Sequence, residues 1–220
     1  MRPLRIEAHL AGPVMLPGGP PAIDAMLAAA VAIREQLPPA LTASECVPIE
    51  IPIARAPGGR FHLASFGSYR CEETELRYLN RKFPLAEAQA MGNEKLKRIE
   101  LAGGPTKSFR IPGEAQHLVG DTITWWAIGD VGPVRKLLDL IPYVGKKRSV
   151  GLGKVREWRV EPCEPWGEGF PIIAPDGKPT RPVPSDWPGL VEPALAHRVL
   201  TYPYWDHARE ELCAVPDAAA

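Results

Sequence analysis

The residues best placed to do chemistry lie in VGKKRSVGLGKVREW, Val144 to Trp158. There Gly145, Gly151 and Gly153 are interleaved with Lys146, Lys147, Arg148, Ser149 and Lys154. Glycine adopts positive φ and lets a phosphate or another backbone approach closely, so this stretch can form a loop whose N–H groups face outward. Backbone donors flanked by cations make a phosphate-binding arrangement. The spacing is not that of a nucleotide loop. G-x-x-x-x-G-K-[ST] is absent, and the glycines do not follow a first strand as G-x-G-x-x-G requires. A longer polyanion fits better, because Arg135, Lys136, Arg156 and Arg159 continue the charge outside the loop. The competing reading is a flexible connection with solvated lysines.

Five histidines, His9, His62, His117, His197 and His207, could act as general acids or bases, since the unperturbed imidazole titrates near pH 6.5. His62, beside Arg60 and a glycine turn in GGRFHLASF, is the strongest of them. No spacing pairs it with a second acid or base, and a lone strand histidine is more often packed or hydrogen-bonded. G-x-S-x-G does not occur, and no carboxylate cluster suggests a metal nuclease. Cys46, Cys71, Cys163 and Cys213 are isolated, without the paired spacing of a zinc site, and read as free thiols. These features predict a protein that is not an enzyme and holds neither cofactor nor metal.

Charge is distributed unevenly behind a net of zero. Residues 1–160 hold 22 Lys+Arg against 16 Asp+Glu, and residues 161–220 hold 4 against 10. A basic body with an acidic end suits a polyanion on one face and a protein on another. The 26 prolines predict short strands and fixed turns in place of long helices. No apolar run reaches the ~20 residues of a membrane span, and the start has no signal-peptide pattern, so a cytoplasmic protein is expected.

The elements that must position the loop follow from periodicity. LRIEAHL alternates as a half-buried strand, and AIDAMLAAAVAIREQL steps by three and four as a helix ended by Pro38-Pro39. VPIEIPIA and GGRFHLASFGSY read as short strands around Pro57-Gly58-Gly59. Residues 70–108 are charged and weakly periodic, and read as a projecting insertion. SFRIPGEAQHLVGDTITWWAIGD gives two strands with turns near Pro112-Gly113 and Gly120-Asp121. VGPVRKLLDLIPYV is a compact amphipathic helix, and KVREWRVEP is the last core strand. The resulting α+β order, β-α-β-β-α-β over residues 1–160, is a ferredoxin-like (RRM-like) layout. Residues 161–220 read as a Pro-rich arm packed on that core. Its aromatics Trp187, Tyr202, Tyr204 and Trp205 either pack the arm down or anchor a partner. Trp125 and Trp126 fall on opposite faces of one strand, one for the core and one either to stack a base or to lie under the arm.

With GKKRSVGLGKV entering the final strand of such a core, the sequence resembles the RAMP superfamily of CRISPR-associated RNA-binding proteins. LRIEAHLAGPV, DAMLAAAVAIRE and RPVPSDWPGLVEP…TYPYWDHAREELC are similar to the type IV subunit that binds the 5′ handle of crRNA. The resemblance implies a noncatalytic subunit that holds the handle and contacts backbone and large subunits of an effector complex, with target DNA as a further candidate partner. It makes the glycine-rich loop, His62 and the cations Arg70, Arg81 and Lys82 of the insertion candidate RNA contacts, with the insertion as a thumb. Arg77, Lys95, Lys97 and Arg98 add to the insertion's charge. A RAMP-type, metal-independent endoribonuclease of pre-crRNA is the alternative.

Overall fold

The computed structural model describes residues 1–38, 45–81 and 109–216. Strict alternation in β1 (Arg2–Leu10) puts Leu4, Ile6, Ala8 and Leu10 wholly out of solvent, with Arg5, Glu7 and His9 on the other face. β4 (Thr122–Gly129) repeats the pattern with Ile123, Trp125 and Ala127, and β5 (Val155–Pro162) buries Trp158 and Val160. β1 lies in the middle of an antiparallel sheet of order β4-β1-β5. On its apolar face, α1 (Ile23–Arg34) contributes Ile23, Met26, Leu27, Ala30 and Val31 to the same cluster as Val134, Leu137 and Leu138 of α2 (Val131–Leu138). The two buried tryptophans stand 5.8 Å apart, and each donates its ring N–H to a backbone carbonyl. Their polar atoms are therefore satisfied inside the core, as large amphipathic rings require.

Residues 53–68 run along the free edge of β4 through isolated bridges, Ile53 to Gly129, Ala64 to Ala127 and Ser68 to Thr124. The expected pair of regular strands is thus a broken edge. Pro52 and Pro57 supply no amide N–H to a ladder. Gly67 lies so close that a Cβ would fall 2.6 Å from Pro20 and 2.8 Å from Ile123.

A larger departure concerns the insertion. β2 (Cys71–Arg81) and β3 (Phe109–Leu118) form an antiparallel hairpin of their own. β3 is therefore the returning limb of the insertion, and the predicted turn at Pro112-Gly113 lies within a continuous strand. Pro112 faces Tyr78 there, and Gly113 faces Arg77. The predicted turn near Gly120-Asp121 is present, as a 3-10 turn over Val119–Asp121.

Beyond β5, Val183–Pro184 (β6), Ala194–Arg198 (β7) and Glu211–Val215 (β8) make a second antiparallel sheet of order β6-β8-β7. Its cluster of Ile172, Ile173, Val183, Leu200 and Cys213–Val215 also takes in Ala56 and Phe61 from the body. The chain is mixed α/β, with antiparallel sheets and two α-helices among the described residues. No described helix is long and apolar enough to cross a membrane.

Candidate nucleic-acid interface

The glycine loop is clamped at both feet and open at its tip. Pro13–Leu16, the strip after β1, receives hydrogen bonds from Gly153 N to Pro13 O (2.9 Å) and from Lys146 N to Met15 O (2.9 Å). Val144 N donates to Gly153 O at 2.8 Å, closing the neck of the loop. The glycines meet different demands. A Cβ on Gly153 would fall 1.9 Å from Val144 O, and one on Gly145 would fall 2.5 Å from Met15 O, so both are required by close backbone approach. Gly151, at φ +85°, has open space around it and is required by conformation alone.

Several loop amides are used within the protein, which reduces the outward donors that the sequence leads one to expect. Those of Lys146, Val150, Gly151 and Gly153 all donate within the protein. What the loop offers outward is charge. Lys146, Lys147, Arg148 and Lys154 are exposed with Ser149, and none of the four cations forms an ion pair among the described residues. Leu152 is 2% exposed and packs with Met15 and Ala115 of β3, so loop and hairpin are anchored on one strip.

The open face of the main sheet is different. Its cross-strand rows read Glu161–Arg5–Trp126, Arg159–Glu7–Thr124 and Glu157–His9–Thr122. Arg5 pairs with Glu7, and Arg159 pairs with Glu157 at 2.9 Å. Here the cations are neutralised by neighbours and present no basic platform. Trp126 packs edge-on against Trp166 of the following segment, at 5.4 Å between rings. Trp125 is the core residue and Trp126 the one beneath the arm.

On the hairpin, Arg70 is exposed at the root, and Arg81 pairs with Phe109 toward the far end. Lys82, Lys95, Lys97 and Arg98 lie outside the described residues. The described limbs are not basic. Glu72, Glu73, Glu75 and Glu114 outnumber Arg77, Arg81 and Arg110. Arg77 is tied to Glu75 at 2.8 Å, and Arg110 stacks 3.9 Å above the Tyr78 ring. Leu76, Tyr78, Phe109 and Ile111 are exposed apolar side chains, and the sequence reading set Phe109–Ile111 in a strand beyond the insertion and not in its returning limb.

His62 does not join the loop surface. It is 7% exposed, with Nδ1 3.8 Å from Asp24 Oδ2 and Nε2 without a hydrogen-bond partner among the described residues. Burial pushes its pKa below the usual imidazole value, and the Asp24 charge only partly opposes this. Asp24 belongs to a buried network that the sequence did not disclose. Arg181, 1% exposed, donates to Asp24 Oδ2 (2.9 Å) and to the carbonyls of His62 (2.9 Å) and Leu200 (2.8 Å). Tyr204 donates to the same carboxylate oxygen at 2.6 Å. The network ties α1 to the segments on either side of β7, and burial drives the Tyr204 pKa upward. None of the four cysteines is in a disulfide. Among the described residues, no three His, Cys, Asp or Glu side chains come together to hold a metal.

A family model for the CRISPR type IV associated protein Csf3 matches residues 73–216, from the hairpin to the last described residue. No curated protein matches the chain.

Proposed function

Because the chain belongs to the Csf3 family of CRISPR type IV associated proteins, we propose that it is a noncatalytic, RNA-binding subunit of a type IV effector. In this reading it holds the repeat-derived 5′ handle of crRNA and assembles with backbone and large subunits in DNA targeting. The observation that carries it is the braced loop whose Lys146, Lys147, Arg148 and Lys154 have no ion partner among the described residues, a fixed cationic surface suited to phosphates. Two further features support a RAMP-type, ferredoxin-like core. The sheet order β4-β1-β5 is extended at β4 by residues 53–68, and the loop feeds the last core strand. Residues 1–160 would form this unit, and residues 161–220 an arm fastened to it by Arg181.

One observation favours the endoribonuclease reading, the proximity of Asp24 and Tyr204 to His62. It is outweighed by the environment. The Asp24 oxygen facing His62 already accepts from Arg181 and Tyr204, and the imidazole is buried. Filter binding of repeat-derived RNA across a salt series tests the main reading. Affinity is expected to fall steeply with salt, as counterion release requires. Salt-independent binding would end this reading, as would metal-independent cleavage of the RNA that is abolished by His62→Ala.

A further inference from the structure

His62 and Asp24 line a cavity of about 320 Å³ between α1, residues 46–55 and residues 201–209. The glycine loop does not contribute to it. Arg55 and Arg209, both exposed, are its cationic members, and Pro48, Pro203, Tyr202 and Tyr204 give it flat apolar walls. His62 and Asp24 are its deeply buried polar members. Asp24 is already hydrogen-bonded, whereas Nε2 of His62 has no partner among the described residues. An unsatisfied buried nitrogen is uncommon and calls for an explanation. We infer that this cavity binds a single ribonucleotide, with its phosphate at Arg55 and Arg209 and its base between the tyrosine and proline walls, meeting His62 at its edge.

The volume lies at the small end of the roughly 300–1,000 Å³ typical of ligand sites, enough for one base but not for a chain segment. Guanidinium groups suit a phosphate, which they can grip with two N–H donors. Arg209 has one committed, to Tyr202 O at 3.1 Å. Among the described residues, Arg55 makes only long contacts, 3.3 Å to Gly59 O and a 3.5 Å ion pair with Glu50. Planar walls suit an unstacked base, and a ring nitrogen suits its hydrogen-bonding edge. An acidic side chain would satisfy the arginines but leave the walls and His62 unused. The inference deepens the RNA-binding reading and rests on it for the source of the nucleotide, a base of the bound RNA turned out of its stack.

Titration with the four ribonucleoside 5′-monophosphates, followed by NMR or calorimetry, tests the cavity without any RNA. At least one nucleotide is expected to saturate. The Arg55→Ala/Arg209→Ala double variant, altered only at exposed positions, is expected to weaken it about tenfold, the loss of roughly one charge-assisted contact. His62→Ala is expected to level the differences among the four bases, with a thermal melt confirming that it is folded. Ribose 5-phosphate binding as well as the nucleotides would reduce the cavity to an anion site and overturn the inference. Absence of saturation would overturn it too, as would displacement by an acidic peptide but not by nucleotides. If the protein binds guide RNA yet no mononucleotide, this inference fails and the handle reading stands. If mononucleotides bind and guide RNA does not, the handle reading fails alone.

Discussion

Arg181 and Arg148 carry the same guanidinium in opposite settings. Arg181 is 1% exposed and donates to one carboxylate and to backbone carbonyls from two separate segments. Arg148 stands at the open tip of the glycine loop with no ion partner among the described residues. Removing a charge from water costs several kcal/mol even after relaxation, so a buried arginine persists only when its partners replace the lost hydration. A cation left in water contributes little to the fold and stays available to a phosphate. In the proposed RNA-binding reading, the loop's cations serve because their surroundings leave them without ion partners among the described residues. The paired arginines of the sheet face and hairpin stem, Arg5, Arg159 and Arg77, stand on the structural side with Arg181.

The sharpest way to break that contrast is to delete the buried member. Arg181→Met leaves Asp24 buried with Tyr204 as its remaining side-chain hydrogen-bond donor. Stability should drop by about 3–5 kcal/mol, the usual loss when one partner of a buried pair is removed. Adding Asp24→Asn removes the stranded charge and should recover part of it. Urea unfolding of the single and double variants measures both. A loss under about 1 kcal/mol for the single variant would place Arg181 among the dispensable cations.

A second contrast lies inside the loop. Gly151→Ala should cost about 1–2 kcal/mol, because only a left-handed conformation opposes the new methyl. Gly153→Ala adds a collision with Val144 O, so its loss should be larger by about 1–3 kcal/mol. Equal losses from thermal melts of the two variants would mean that the neck is not closed as described.

Much of this was legible beforehand because it follows from period. β1, α1, β4, α2 and β5 each announce themselves by alternation or by steps of three and four, and the loop by glycines among lysines. Three things were not legible, each for a physical reason. Pro112-Gly113 looks like a turn, but Pro112 lies in a two-stranded hairpin, where proline is tolerated, and Gly113 makes room for Met15. Arg181 sits among prolines in a stretch with no period, and its acceptors are 157, 119 and 19 residues away along the chain. The loop's glycines suggested outward amides, yet residues 13–16, distant in sequence, accept from Lys146 and Gly153, and the amides of Val150 and Gly151 close a turn inside the loop.

His62 gives a smaller, pH-dependent effect from the buried side. Burial lowers its pKa from the ordinary 6.5, against the attraction of Asp24 and Glu50 and with the help of Arg55 and Arg181. The unfolded chain therefore binds a proton before the folded one does. This contribution is fully present above pH 6.5 and is lost as pH falls below it toward the folded value. The slope can reach about 1.4 kcal/mol per pH unit for this single group. Urea midpoints between pH 7.5 and 5.5 should fall less steeply for His62→Gln than for the wild type. Parallel curves would show that this imidazole titrates as freely in the fold as outside it.

The smallest effect on the fold is expected where the effect on binding is large. Lys146, Lys147 and Arg148 are exposed, and the backbone bonds that hold the loop come from other atoms. Exposed substitutions of this kind usually change stability within about 0.5 kcal/mol each. The triple alanine variant should therefore melt close to the wild type, well above Gly153→Ala. Its binding of repeat-derived RNA should weaken at every salt concentration, with a salt slope shallower by roughly three, one for each lost phosphate contact. Gly153→Ala offers the converse, with less binding through a distorted loop but a salt slope near that of the wild type. If the triple variant instead unfolds like Arg181→Met, the loop cations are part of the scaffold and the contrast between Arg148 and Arg181 collapses. If it melts and binds RNA like the wild type, the loop is only a connection, and its cations are solvated charge.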